Sequence, residues 1–305
     1  MVGAGTTDRR RTGRGRELKR LILCVDDFGL KSEINEAVAE LADAGIVSAT
    51  GCMTQGPAFR QGAALLQGQR RDRLDLGLHL NLTEPMGPAG RPQRAVFALP
   101  LPELILRALL RGLDRDRLKQ CICGQLDAFE DAFGHPPDFV DGHQHVHQLP
   151  QVRQALLTEL SRRYGSKAPS ERPWLRVTLA RRGGGPISLK HRVIEWLGGQ
   201  ALARQAYEGG FGRNAALLGV YGFDADASGF ARRLDVWLAS AHDGDLLMLH
   251  PAKAQGRSSA QDMPDAIASA REVEYAVLLT RGAQMLSSHG VSPCRGPGRS
   301  GMLKT

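Results

Sequence analysis

Apolar residues fall along the chain as short dense runs alternating with longer stretches of helical period. Residues 21–30, LILCVDDFGL, form an apolar run that ends in two adjacent acids and a Phe-Gly pair. A buried parallel strand ends this way where it reaches an active-site face, with glycine permitting the sharp turn. Ser32 is placed to cap a helix in which Ile34, Ala37, Val38 and Leu41 recur at i, i+3, i+4, i+7 spacing, and Gly45 closes it. Residues 46–53 read as a second strand, and Pro57 opens a helix to about residue 67. The third strand, 74–82, alternates strictly: five leucines take one face, and Asp75, Gly77, His79 and Asn81 take the other.

Residues 83–98 are rich in Pro and Gly and make a long loop, a length that compact domains usually reserve for function or mobility. Helices follow at 101–112 and 115–133, then a short strand at 138–142, a helix at 150–163 and a strand at 174–177. The stretch RRGGGP at 181–186 breaks the chain before a helix at 188–205; residues 207–224 carry no assignable pattern. A helix at 229–241, a strand at 245–249 ending in His250-Pro251, and a helix at 266–281 complete the series. Strands alternating with helices, without internal repeats, predict one parallel α/β domain. Polar residues at several strand ends favour a barrel-like (β/α) arrangement over an open sheet. The expected division is a disordered basic tail at 1–19, one domain at 20–290, and a basic tail at 291–305.

Composition, at 42% hydrophobic and 24% charged over 305 residues, is that of an ordinary globular protein with ample core. The formal charge of +8 changes the picture less than it promises. Residues 1–20 carry +5 and residues 291–305 carry +3, so the body is formally neutral. A neutral body argues against a nucleic-acid groove. The chain has no run of eighteen apolar residues to span a membrane and no apolar core of a secretory signal near its start, so the expected location is the cytoplasm. Five cysteines, an odd number, do not suggest a disulfide framework. Cys121 and Cys123 lack a second pair to complete a thiolate zinc site and read as small buried residues.

The candidate chemistry sits at strand ends. Asp26 and Asp27 would point to opposite sides of a regular strand, but a chain that begins to turn there brings both to one cavity. One could hold a metal while the other handles a proton. Residues 138–149, DFVDGHQHVHQL, carry three histidines at alternate positions after an acid. His143, His145 and His147 share a face if the chain stays extended; if it turns, one of them faces the cavity. Asp141 could fix an imidazole tautomer from behind. Adding His79 and His250 gives two imidazoles and a carboxylate on a metal, open positions for water and substrate, and an acid to spare, the composition of a hydrolytic site. His135, His191, His242 and His289 are isolated and read as structural.

VDDFGL, GLHLNLTE, DGHQHVHQLP and LMLHPA, in this order and at these separations, resemble the YdjC-like carbohydrate deacetylases, a family that includes chitooligosaccharide deacetylases and hopanoid-associated relatives. The resemblance covers about residues 20–285. It implies a distorted, TIM-like (β/α) barrel related to the polysaccharide deacetylases, and one divalent ion, zinc or magnesium. Carried over position by position, Asp27, His79 and His143 match the metal ligands, Asp26 the catalytic base and His250 the catalytic acid. Asp141, His145 and His147 fall in the motif as orienting or substrate groups. The substrate implied is an N-acetylated amino sugar, free, in an oligosaccharide or attached to a lipid, and acetate is the product. A helix with Arg271, Glu272 and Glu274 also fits the family, with ion pairing or barrel packing as the preferred role.

Cys24-Val25 before the acids departs from the family's usual Ala or Asn-Ala, and the loop after Pro85 and the basic N-terminus are this chain's own. The alternatives are a metal-dependent phosphoesterase or amidohydrolase on a similar barrel, which would need more metals and ligands, and a non-catalytic carbohydrate-binding relative. The reading leaves a homo-oligomer open.

Overall fold

The computed structural model describes residues 18–86, 97–182, 187–254 and 265–297, and among these every strand pairing is parallel. Strands β1 (Lys19–Phe28), β2 (Ala49–Cys52), β3 (Asp75–Leu80), β4 (Phe139–Gly142), β5 (Trp174–Leu175), β6 (Leu217–Leu218) and β7 (Leu246–Leu249) run in the order β5-β4-β3-β2-β1-β7-β6. Parallel bridges Leu175↔Arg213 and Ala180↔Leu217 join the two ends, so the sheet curls into an irregular barrel, as the strand-end chemistry predicted.

Ten α-helices among the described residues serve as crossovers and flanks: α1 (Ser32–Asp43), α2 (Phe59–Gly62), α3 (Gln69–Arg73), α4 (Leu101–Leu109), α5 (Arg115–Phe133), α6 (Val152–Tyr164), α7 (Leu189–Ile194), α8 (Gln200–Glu208), α9 (Ala227–Ser240) and α10 (Ala268–Ser288). None is long and apolar enough to cross a membrane.

The period of two in the strands sorts residues between two cores. Leu21, Leu23 and Val25 of β1, Leu76, Leu78 and Leu80 of β3, and Leu247 and Leu249 of β7 pack outward with the helices. Ile22, Cys24, Ala49, Phe139, Trp174, Leu217, Leu246 and Met248 fill the barrel interior. Continuing that parity toward the strand ends places Asp26, His79, Asp141, Arg176 and His250 on the interior side. The interior is therefore apolar in its middle layers, ionic at its C-terminal mouth, and holds one buried carboxylate, Asp75, at the other end.

Several expectations shift. The helix expected from Pro57 to about 67 is instead α2 followed by a 3-10 turn, Ala63–Leu66. Lys31, not Ser32, is the N-cap of α1, and the Ser32 hydroxyl donates to the Glu33 carboxylate. The helix at 188–205 is interrupted by a π turn, Glu195–Gly199, where Gly198 takes φ 149°. The unassigned stretch contains β6. Val291, read as the start of a tail, begins β8 (Val291–Pro293), which pairs with Lys19–Leu21 of β1. Residues 1–17, 298–305, most of the 83–98 loop and 183–186 lie outside the described residues.

Candidate active site

Asp26 and Asp27 both face the cavity because the backbone turns between them. The β1–β2 register shifts between Val25 and Phe28, and Asp27 takes φ 67°, a left-handed conformation rare for a residue with a Cβ. Asp26 thus keeps the interior parity of its strand, while the turn re-aims Asp27 toward the same space. Strain of this kind, of order 1–3 kcal/mol, persists where the surroundings over-determine it. Here Arg271 supplies the hold, its Nη2 donating to Asp27 Oδ2 at 2.5 Å.

The other Asp27 oxygen, Oδ1, lies 3.3 Å from His79 Nε2 and 3.0 Å from His143 Nδ1. Donor atoms of Asp27, His79 and His143 all lie within 4.8 Å of one another. His79 is fixed from behind by Asp141, whose Oδ1 accepts from Nδ1 at 2.7 Å. The room for this ring comes from β2: a Cβ on Gly51 would stand 3.0 Å from His79 Nδ1.

The histidine run does turn. Gln144 and His145 take φ 52° and 61° inside the 3-10 segment His143–Gln148, so the three imidazoles part company. His143 goes to Asp27. His147 is buried and donates from Nε2 to the Arg176 carbonyl at 2.8 Å. His145 lines the cavity, and its buried Nδ1 has no protein partner.

Arg176 is a site residue that the sequence reading passed over. It is 0% exposed, with Nη1 2.6 Å from Asp26 Oδ2, Nη2 2.5 Å from Asp26 Oδ1, and Nη2 2.7 Å from Asp141 Oδ2. Its signal was a charged residue at an interior-parity position, two places after Trp174 of β5. Arg271 does form ion pairs, as read from the sequence, and its partner Asp27 puts it in the site. Glu274 accepts from the His250 backbone N–H and the Tyr221 hydroxyl, both at 2.6 Å. His250 Nε2 lies 3.8 Å from Asp26 Oδ2.

The charges explain the protonation. Burial opposes ionisation of Asp26, but Arg176, His79 and His250 together outweigh it, Arg176 foremost, and hold the carboxyl well below the usual range. Burial likewise opposes ionisation of Asp27, and Arg271 and His143 reverse it. Burial works against a charged His79 too, yet Asp141 and Asp26 push its pKa up to about 10. For His250 burial wins, and the imidazole is pushed down to about 4. Glu274 is pushed up to about 7 by burial. Three buried carboxylates, Asp26, Asp27 and Asp141, face two buried guanidiniums, Arg176 and Arg271. The excess negative charge invites one more cation, which a proton on His79 supplies in the metal-free protein and a divalent ion could supply instead.

Comparison with known proteins gives three likenesses. A human carbohydrate deacetylase is 33% identical over 163 residues, 50% of this chain and 49% of the relative. A chitooligosaccharide deacetylase of Yersinia enterocolitica is 35% identical over 140 residues, 44% of this chain and 53% of the relative. The matched regions thus span about half the length of these curated relatives. A solved structure from Enterococcus faecalis V583, provisionally named a cellobiose-phosphate cleavage protein, superposes with a TM-score of 0.62 over 92% of this chain and 98% of its own, at 19% identity, a likeness of fold. The family model described as YdjC-like protein matches residues 20–286, the span that holds β2 to β7, nearly all of β1 and every residue of the site, and the chain belongs to the YdjC-like family.

Proposed function

We propose that this protein is a metal-dependent carbohydrate N-deacetylase that hydrolyses the acetamide of an N-acetylated amino sugar and releases acetate. The observation that carries the reading is the convergence of Asp27, His79 and His143 on one point, with Asp26 and His250 beside it at the mouth of the barrel. The names of the matched relatives, carbohydrate deacetylase and chitooligosaccharide deacetylase, support the sugar acetamide as substrate.

Asp27, His79 and His143 would hold the ion, and the excess buried negative charge around them fits a divalent cation. Two imidazoles and a carboxylate suit zinc or a similar transition metal better than magnesium. Such an ion, when bound, polarises the acetamide carbonyl and acidifies water. Asp141 orients His79, since a carboxylate behind a ligating imidazole fixes its tautomer.

Asp26 is the base. Arg176 keeps it ionised and fixes both its oxygens, so it waits unprotonated for the proton of the attacking water. His250 is the acid, the group from which the leaving amine receives a proton. The 3.8 Å between His250 Nε2 and Asp26 Oδ2 offers a short path from one to the other. The burial that lowers the His250 pKa makes its charged form a strong donor. Glu274 sets the height of His250 through the backbone N–H. His145 and His147 are orienting groups, His145 toward the cavity and His147 toward the Arg176 backbone.

The test is acetate release from N-acetylglucosamine oligomers by chelator-stripped protein with zinc or magnesium restored. Turnover that appears only with a divalent ion supports the reading. No acetate from any N-acetylated sugar with either ion would reject it, and metal content of two or more per chain would favour a phosphoesterase or amidohydrolase.

A further inference from the structure

The motif GLHLNLTE runs past His79 to Asn81 and Glu84, and the proposed reaction uses only its histidine. Asn81 is 0% exposed and continues the interior parity of β3. Its backbone N–H donates to Gln125 Oε1 of α5 at 2.9 Å, and Gln125 Nε2 donates back to the Asn81 carbonyl at 2.8 Å, so the residue is locked in place. From there the side-chain amide grips the chain that follows. Oδ1 accepts from the Thr83 N–H at 3.1 Å and the Glu84 N–H at 2.9 Å, and Nδ2 donates to the Glu84 carbonyl at 2.8 Å. The second Nδ2 proton goes to Gln55 Oε1 at 3.1 Å. One buried amide thus commits its full bonding capacity and holds both backbone groups of Glu84. A merely solvated acid at the head of a loop needs no such grip.

What the grip fixes is a carboxylate on the cavity wall, its side chain 38% exposed, with Oε1 3.9 Å from Nε2 of His143. The other nitrogen of that ring, Nδ1, faces Asp27 Oδ1 at 3.0 Å. The ring therefore lies between two carboxylates, one on the side of the three converging donors and one behind. His79 is arranged the same way with its nitrogens exchanged: Nε2 faces Asp27 Oδ1 at 3.3 Å, and Nδ1 donates to Asp141 at 2.7 Å. A neutral imidazole that ligates a metal offers a lone pair at one nitrogen and keeps its proton on the other. An acceptor behind the protonated nitrogen holds both the tautomer and the plane of the ring. Asp141 does this for His79. Glu84, at 3.9 Å, stands just beyond direct hydrogen-bond length, a gap that one water or a rotation of its half-exposed side chain closes.

We infer that Glu84 is the positioning residue of His143: it accepts from Nε2–H, so that His143 ligates through Nδ1 while His79 ligates through Nε2. This rests on the metal centre of the deacetylase reading and assigns the nitrogen that each ring offers.

Competitive titration of the chelator-stripped full chain against a chromophoric chelator reads zinc affinity without turnover. Glu84→Ala weakens that affinity by about 10–100-fold, and Glu84→Gln, whose amide oxygen still accepts from Nε2–H, recovers part of the loss. In the imidazole nitrogen NMR spectrum of the zinc-loaded wild type, His143 is bound at Nδ1 and protonated at Nε2, and His79 shows the reverse. At saturating zinc, KM for N-acetylglucosamine oligomers in Glu84→Ala stays at the wild-type value. Unchanged zinc affinity in Glu84→Ala, or His143 bound at Nε2, overturns the inference; unchanged affinity with a raised KM overturns it too, and assigns the carboxylate to the sugar. Zinc binding that His79→Ala leaves intact overturns the inference together with the metal centre. If no N-acetylated sugar yields acetate, the deacetylase reading alone fails, and the titration still decides the inference.

Discussion

Asp26 stands between Arg176 and His250, and the two neighbours divide its work. Arg176 fixes it in place and in charge; His250 lies 3.8 Å off Oδ2. Asp26→Asn keeps the shape and removes the proposed base, so on the deacetylase reading acetate release is expected to fall by about 10²–10⁴ while metal content stays at the wild-type level, measured by turnover and metal analysis together. His147 gives a second, independent test. Burial pushes its imidazole from 6.5 down to about 4. Between those values acidification adds a proton to the unfolded chain and not to the folded one, so stability present above pH 6.5 is lost as the pH falls toward 4. Denaturant unfolding of the wild type against His147→Gln is expected to show the wild type losing on the order of 2–3 kcal/mol relative to the variant over that window. A pH-independent difference would contradict the buried, neutral histidine. The two arginines show what a sequence hides at this scale. Asp26, Asp27 and His250 announce themselves by following apolar runs, whereas Arg176 meets Asp26 across 150 residues and Arg271 meets Asp27 across 244, and no local pattern encodes those meetings.

At the scale of elements, alternation was the most legible signal. The leucines of β3 and the polar residues between them lie on opposite faces as their period requires, and the same parity run through β1, β4 and β7 gathers the interior acids and imidazoles. Helices with a clear i, i+3, i+4 stripe, such as α1 and α5, stand close to where the sequence puts them. The misread stretches share a cause: short pieces are held by neighbours distant in sequence more than by their own period, 57–67 through the Ala58 N–H on the Gly29 carbonyl and the Asn35 amide on the Ala58 carbonyl, and 207–224 through the pairing of β6 with β7. The histidine turn is similar, because two consecutive left-handed residues without glycine leave no compositional trace. Gly51 belongs to this scale, since its bare backbone on β2 leaves the space that the β3 imidazole occupies. Asp141 pins that ring, so it cannot yield to a new methyl group. Gly51→Ala is expected to weaken zinc binding by about 10–100-fold, read by competitive metal titration; unchanged affinity would mean that His79 is not a ligand.

For the molecule as a whole, the barrel has two differently built ends. The C-terminal mouth holds the ionic site; the opposite end is sealed by the segment after β8, where Arg295 Nε and the Gly296 N–H donate to the two oxygens of buried Asp75 at 2.6 and 2.7 Å, beside Trp174. Residues 291–297 are therefore part of the fold, although the glycines and basic charge of 291–305 read as a tail. Deleting residues 291–305 is expected to cost about 2–4 kcal/mol in urea unfolding, the penalty for depriving a buried carboxylate of partners, while the folded fraction still binds metal at the far end. The claim on which the account turns is that one ion, held by Asp27, His79 and His143, is what the site needs to release acetate. It is tested most directly by back-titrating chelator-stripped protein with zinc while acetate release from an N-acetylglucosamine oligomer is followed. The account predicts a rise that levels off at one equivalent per chain and is absent in His79→Ala. Full activity before any zinc is added, or a plateau at two equivalents that His79→Ala leaves in place, would contradict it.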